Sequence, residues 1–305
     1  MKVGIFSFYP VTVRASYEEY RLARTARSLG HTAKIFRVDK SAMVFDDNGP
    51  RFTYDGKDFP LYDVVIPRAS ILSNVDLRIA FLELIQLQGT ALVNDYHGIS
   101  RAKNKLKTLQ ILNQQGIPVP RTFMIHHLKY LDQAIRSVGG LPVIMKTPFG
   151  SYGSGVLIAE SKRSIVSALD ILWKTSTTSM VLIQQYIRES KGCDIRLFVV
   201  GDRVVASMMR QAQKGEFRSN IELGAVGKQV EISSEEYEVA VAATKALGLD
   251  VSGVDIVRSK SGPMVLEVNS NPGFQMLEKV TNVDIASEII QFSVQKAGKK
   301  ISIAM

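Results

Sequence analysis

The chain has a single cysteine, Cys193, in 305 residues. That excludes an intramolecular disulfide framework and suits a reducing compartment, so a cytoplasmic location is expected. Long apolar runs are missing too. No stretch approaches the roughly 20 residues that a membrane-spanning helix needs. At the N-terminus Lys2 is followed by VGIFSF, too short for the apolar region of a signal peptide, and no leader is expected. Several catalytic signatures are absent. No G-x-G-x-x-G follows the first apolar run, which disfavours dinucleotide binding in the usual Rossmann manner. His31, His97, His126 and His127 show neither H-E-x-x-H nor zinc-type spacing, and no G-x-S-x-G elbow offers a serine nucleophile. Cys193 has no histidine near it in sequence and is expected to be a buried structural thiol. Polybasic tracts, internal repeats and low-complexity segments are also lacking.

What is present describes a folded chain with an excess of positive charge. An apolar fraction of 46% is ordinary, and the length suffices for two or three packed units. A net charge of +9 points to an anionic partner: nucleic acid, an anionic membrane or acidic small substrates. Because the basic residues are spread along the chain, a triphosphate with an acidic substrate is favoured over a nucleic-acid groove.

Residues 1–98 read as an open α/β unit. KVGIFSF, a helix over SYEEYRLARTARSLG and HTAKIFRV give strand, helix, strand, and a polar hairpin excursion with turns at Asn48-Gly49 and Asp55-Gly56 follows. YDVVIPR, NVDLRIAFLELIQLQG and TALVND add a strand, a helix and a strand. The next unit, 99–187, opens on HGISRAKNKLKTLQILNQQG. One helix is expected there, capped by Ser100, with Leu106, Leu109 and Leu112 on its apolar face and Arg101, Lys103, Lys105 and Lys107 on a solvated basic face. Strand RTFMI, a helix, strand LPVIMKT and strand VLIAES come next. Between the last two lies a loop, 148–155, with three glycines. Such a loop can lay backbone N–H groups against phosphate oxygens, with Lys146 as a point charge. It lacks the lysine and hydroxyl that would follow the last glycine of a Walker A loop. The third unit, 188–298, begins with two strands around Gly201-Asp202, with Asp194 and Arg196 on one face of the first. KGEFRSNIELGAVGK reads as a polar loop over a site. Residues 299–305 are expected to be frayed.

The stretch 253–273, GVDIVRSKSGPMVLEVNSNPG, carries the most chemistry. It reads as a hairpin with a three-residue loop, Lys260-Ser261-Gly262, which places Asp255 opposite Glu267. Asn269 lies two residues further along, on the same face, with Leu266 and Val268 on the opposite one. Three hard oxygen ligands would thus converge, and such donors suit Mg²⁺ or Mn²⁺ together with nucleotide phosphate oxygens.

The order and spacing of these blocks, from MKVGIFS through RAKNKLKTLQILNQQGIPVP, VIMKTPFGSYGSGV, VLIQQYI, GCDIRLFVVGDRVVA and EFRSN to LEVNSNPG, resemble the ATP-grasp ligases, and among them the RimK-type α-L-glutamate ligases. The resemblance implies an α/β and α+β chain: an ATP-grasp fold behind an N-terminal open α/β pre-ATP-grasp domain. It implies an ADP-forming ligase that uses ATP and two Mg²⁺ or Mn²⁺ ions. The expected partners are L-glutamate or another amino acid and an acidic acceptor, either a protein tail or a cofactor. A dimer or tetramer is also expected. Lys105 and Lys146 would reach the phosphates beneath a lid that includes Gly153. Gln184, Gln185, Tyr186 and Ile187 would meet adenine, with Asp194 toward the ribose. Arg196, Arg218, Ser219 and Asn220 would lie near the triphosphate and the reacting carboxylate, and Asp255, Glu267 and Asn269 would hold metal. Two stretches depart from the pattern: Gln185 stands where an acid is common, and Glu222 and Leu223 stand in the segment after FRSN where histidine, basic and glycine residues are usual. A non-ligating nucleotide-binding protein, docked on ribosomal RNA or an acidic partner, is the alternative from another class. A ligase for other amino acids or short peptides is a further one.

Overall fold

A computed structural model describes residues 1–68, 75–148, 155–175, 180–190, 192–213, 215–216, 218–219 and 224–304. The N-terminal strands Lys2–Ser7, Thr32–Arg37, Val64–Arg68 and Ala91–Leu92 form a parallel sheet, the first flanked by the second and third. A parallel sheet is covered on both faces, and alternate residues show how. Val3, Ile5, Val64 and Ile66 enter one core, shared with the helices Tyr17–Ser28 and Ile285–Ala304, while Phe6, Phe36, Phe52 and Val65 enter another beneath the helix Val75–Leu87. Helix Tyr17–Ser28 begins at a capping box. Ser16 accepts from the Glu19 amide and the Glu19 side chain accepts from the Ser16 amide, which satisfies two N–H groups that the helix itself leaves open. The polar excursion is a three-stranded antiparallel sheet, Ser41–Asp46, Gly49–Tyr54 and Lys57–Asp58.

The stretch expected to form one helix forms two, Tyr96–Lys103 and Lys105–Gln114. Asp95, not Ser100, caps the first, and Asn104 leaves helical geometry to cap the second, its side chain accepting from the amides of Leu106 and Lys107 at 3.0 and 3.2 Å. An internal asparagine offers its own side chain to the backbone, and here it wins. Leu112 and Ile117 then pack into the core of the C-terminal sheet, although sequence grouped them with the unit at 99–187.

Two antiparallel sheets complete the chain. The strands Val156–Ala159, Val143–Lys146, Val181–Gln185 and Thr122–Ile125 lie side by side in that order over a core of their own. The second sheet has five strands in the order Val226–Gln229, Arg203–Gln211, Cys193–Val200, Val251–Ser259, Gly262–Asn269. Its first strand falls in the stretch expected to be a polar loop. Alternation sends Leu197, Val199, Val254 and Ile256 to one core and Phe198, Val200 and Val251 to the core shared with the N-terminal sheet. Asp194, Arg196 and Asp255 continue that second face beyond the point where the N-terminal unit stops covering it. The polar face is therefore left to a cleft.

Asn94 fixes the N-terminal unit against this sheet. Its side chain accepts from the amides of Asp250 and Val251, both at 2.7 Å, and donates to the carbonyls of Val251 and Ser270 at 2.7 and 2.8 Å. The closing helix runs to Ala304, through the part expected to be frayed. Among the described residues no helix is long and apolar enough to cross a membrane.

Candidate active site

The site begins with the hairpin of Val251–Ser259 and Gly262–Asn269. Its turn is tighter than expected: Ser259 pairs with Gly262, so Gly262 joins the strand at φ +99° and only Lys260 and Ser261 span the gap. A two-residue turn alone would bring Asp255 opposite Leu266. The strand instead carries an irregularity beside Ile256, with Leu266 as the extra residue, and Asp255 pairs with Glu267 after all. A bulge lets neighbouring side chains break alternation. Val265 and Val268 both enter the core beneath the sheet, whereas Leu266 and Glu267 both line the cleft. Leu266 therefore does not share the buried face of Val268 as expected.

The other hairpin behaves alike. Val200 pairs with Arg203 across Gly201-Asp202, and a shift between Phe198 and Val199 puts Asp194 opposite Arg210 instead of Met209. Arg210 then grips the Asp194 carboxylate with Nε at 2.7 Å and with Nη2, and its Nη2 also lies 2.9 Å from Asp255 Oδ2. Arg196 pairs with Asp255 from the next strand and donates to both of its carboxylate oxygens. Burial opposes charge on Asp255, yet Arg196 and Arg210 hold its carboxyl below the usual range. Burial pushes Asp194 up, against the pull of Arg210.

Glu267 has no hydrogen bond or ion pair among the described residues. Asn269 turns its amide nitrogen toward Asp255 Oδ2 at 3.4 Å, and among the described residues its carbonyl oxygen meets no donor. The donors open to a cation are thus Glu267 and Asn269 Oδ1, with Asp255 beside them. Among the described residues no group of three or more His, Cys, Asp or Glu side chains is placed to hold a metal. This set reaches three donor side chains only through the Asn269 amide.

Lysines face this hairpin from the other wall. Lys146 ends its strand, and the loop after it closes where the Thr147 amide donates to the Gly155 carbonyl at 3.1 Å, with Gly155 at φ +72°. Lys105 opens its helix, its amide donating to the Pro148 carbonyl at 3.1 Å, so both lysines meet at the base of the glycine-rich loop. Burial lowers the Lys146 ammonium to about 8; Glu267 and Asp255 oppose this and Lys105 adds to it. Lys103 is also lowered to about 8, first by burial and then by Lys105 and Arg68, with Glu267 opposing. The basic helix face expected to be solvated is thus divided: Arg101 and Lys107 are exposed, while Lys103 and Lys105 turn inward.

One cleft of about 910 Å³, measured out to its open mouth, gathers most of the expected residues. Lys105, Lys146, Gln184, Gln185, Tyr186, Ile187, Asp194, Arg218, Ser219, Asp255 and Glu267 all line it. Arg196 and Asn269 reach it through their contacts with Asp255. Gly153, Asn220, Glu222 and Leu223 lie outside the described residues. Gln184 is buried and donates to Thr122 Oγ1 at 2.9 Å, and Gln185 accepts from Arg121, so these side chains serve the sheet and leave backbone toward the cleft. Arg218 is held by both oxygens of Glu216.

Sequence reasoning missed four residues here. Arg210 needed the bulge to reach Asp194. Lys103 needed the helix break, and Leu266 needed its own bulge. Cys193, expected to be buried and structural, is half-buried on the cleft wall and contacts Gln211 Oε1. Burial, and after it Asp194, pushes its thiol up.

One lysine at the end of a strand, a second at the start of a helix and a carboxylate hairpin on another sheet, with a cleft between them, define the ATP-grasp architecture. The chain belongs to the RimK-like ATP-grasp family: that family's domain matches residues 102–293, and the RimK PreATP-grasp domain matches 1–99. It is an ATP-grasp ligase. A probable alpha-L-glutamate ligase of Aeromonas salmonicida (strain A449) is 39% identical over 300 residues, 98% of both chains. Another, of Vibrio vulnificus (strain YJ016), is 38% identical over 281 residues, 92% of both. Two solved structures share the fold. The RimK domain protein ATP-grasp from Sphaerobacter thermophilus DSM 20745 has a TM-score of 0.74 at 21% identity and covers 96% of this chain and 99% of its own. The ATP-grasp ligase PsnB, complexed with minimal precursor, Mg and ADP, has a TM-score of 0.72 at 20% identity, covering 97% and 98%.

Proposed function

We propose that this chain is an ADP-forming carboxylate–amine ligase that joins L-glutamate to an acidic acceptor, a protein tail or a cofactor. One observation carries the reading: Lys105 and Lys146 meet the Asp255–Glu267 hairpin across a single cleft. Its apolar wall, Ile144, Val156 and Leu266, suits a planar base, and its cationic end suits a triphosphate. The glutamate in this reading follows the names of the relatives from Aeromonas and Vibrio.

The acceptor carboxylate attacks the γ-phosphorus of ATP; the bond to the ADP oxygen breaks and an acyl phosphate forms. The amine of glutamate then attacks the acyl carbon, phosphate departs, and the amine gives up its proton. A free carboxylate acylates poorly because oxide would have to leave, and phosphorylation supplies a better leaving group. This chain contributes fixed positive charge. Lys146, Lys105 and Arg218 would stabilise the transferring phosphoryl group, and Arg196 would hold Asp255 in place beside it. Glu267, Asn269 and Asp255 would hold Mg²⁺ or Mn²⁺, in a two-ion arrangement. The oxygen-only donor set and the open carboxylate of Glu267 fit such an ion. When bound, the ions would neutralise phosphate charge. A dimer or tetramer in the cytoplasm is part of the same proposal.

Glu267→Ala tests it. ADP release in the presence of L-glutamate should drop at least about 100-fold with the fold intact by circular dichroism, and near-normal release would contradict the reading. Mass spectrometry of reactions with a panel of amino acids and acidic acceptors identifies what is joined.

A further inference from the structure

The helix Tyr17–Ser28 buries Leu22, Ala23 and Ala26 and leaves its other face in water. Tyr17, Tyr20 and Arg24 recur on that face at intervals of three and four residues, so they form one ridge. With Arg14, Ala15 and Arg21 they line a groove of about 840 Å³, measured out to its open mouth, that shares no residue with the nucleotide cleft. Tyr17 is 40% exposed and Tyr20 53%, a large aromatic area to leave in water. Tyr17 is also fixed in place. Its hydroxyl donates to Glu278 Oε2 at 2.8 Å, and its ring meets the Phe274 ring edge-on, with centres 6.2 Å apart. Glu18 Oε1 accepts from the Phe274 amide at 3.2 Å. Phe274 follows the turn that leaves the carboxylate hairpin after Asn269, so the groove begins where the active-site turn ends.

The charges along the groove differ in how they are compensated. Arg21 lies 3.4 Å from Glu278 and 2.8 Å from Asp284. Arg14 and Arg24 are exposed and make no hydrogen bond or ion pair among the described residues. Arg24 stands about 10 Å along the helix from Tyr17, a span that an extended peptide covers with about three residues. Tyrosine and arginine are the side chains that most often anchor a protein interface.

We propose that this groove docks an acidic polypeptide segment, the part of a protein acceptor that precedes the carboxylate to be joined. Arg14 and Arg24 take carboxylates of that segment, and the Tyr17 and Tyr20 rings cover the backbone between them. Arginine suits the role because its planar fork meets a carboxylate through two parallel hydrogen bonds. The inference rests on the ligase reading and deepens it: the acceptor is a protein tail and not a cofactor. A nucleic-acid strand fits less well, because its phosphates follow one another without neutral spacers and Glu278 and Asp284 border the groove.

Peptide binding tests it. A fluorescein-labelled peptide of alternating glutamate and serine is titrated with the full chain and followed by anisotropy, beside its glutamine counterpart and a labelled oligouridylate. The glutamate peptide should bind at least about tenfold more tightly than either. Arg14→Ser combined with Arg24→Ser should remove at least about tenfold of that affinity, while Tyr20→Ser should weaken both peptides. Affinity for a non-hydrolysable ATP analogue, measured by calorimetry, should be the same in all these proteins. In turnover with the glutamate peptide as acceptor, the double variant should raise KM for the peptide and leave kcat and KM for ATP in place. No peptide binding, or equal binding by the chain and its double variant, would overturn this inference alone. An unchanged peptide KM in the double variant would detach the groove from the reaction and overturn it too. Oligouridylate bound in preference, and lost in the double variant, would give the groove to RNA and overturn it. Failure of the ATP analogue to bind would instead strike the ligase reading itself.

Discussion

Arg196 stands directly across the sheet from Asp255 and donates to both oxygens of its carboxylate. With Arg210 on the same group, Asp255 is compensated within the protein, and Glu267 is the carboxylate still open to a cation. Metal dependence should therefore follow Glu267. Glu267→Gln keeps shape and hydrogen-bonding capacity but removes the charge. It is expected to raise the Mg²⁺ concentration for half-maximal ADP formation by at least about tenfold, measured by Mg²⁺ titration at fixed ATP. An unchanged titration would remove Glu267 from the metal site.

Lys146, brought down to about 8 by burial, gives ATP binding a pH dependence of known sign. A bound triphosphate favours the charged ammonium and raises its pKa. Above about pH 8 the free protein must therefore take up a proton to bind ATP, and affinity should fall by up to about tenfold per pH unit. Calorimetry at pH 7 and pH 9, in buffers of different ionisation enthalpy, should show proton uptake by the lysine only at the higher pH.

Arg210 is a stability residue as much as a site residue. Arg210→Met would leave the buried Asp194 carboxylate without its guanidinium, and breaking a buried pair costs about 3–5 kcal/mol. Arg210→Lys should recover little of this, because an ammonium cannot match the two-nitrogen geometry. Urea unfolding midpoints of the three proteins measure it.

Cys193 offers a footprint of the cleft. Its thiol is half-buried on the wall and raised in pKa, so alkylation should be slow at pH 7 and faster at pH 9. Nucleotide should protect it, and Cys193→Ser should remove the sensitivity. Equal labelling with and without ATP would place the nucleotide elsewhere.

Much of the fold was legible in the chain. Continuous apolar runs marked the parallel strands, alternation marked the antiparallel ones, and glycines marked where they turn. The site was legible in part. Asp255 opposite Glu267 follows from a three-residue loop on paper; in the protein a two-residue turn and a bulge at Leu266 give the same pairing. A hairpin's outermost residues say how far two strands are offset, but not where an extra residue is absorbed along them.

The sequence by itself determined which side chains exist to do chemistry and, through alternation, that carboxylates and cations would share a sheet face. The tertiary structure decided which of them meet. Val265 and Val268 both belong to the core, three positions apart, and only a bulge satisfies that demand; the same bulge turns Leu266 and Glu267 together into the cleft. Asn104 ends one helix and starts the next, which sends Lys103 and Lys105 inward. Both outcomes depend on burial against partners far along the chain, and local spacing carries no record of those partners.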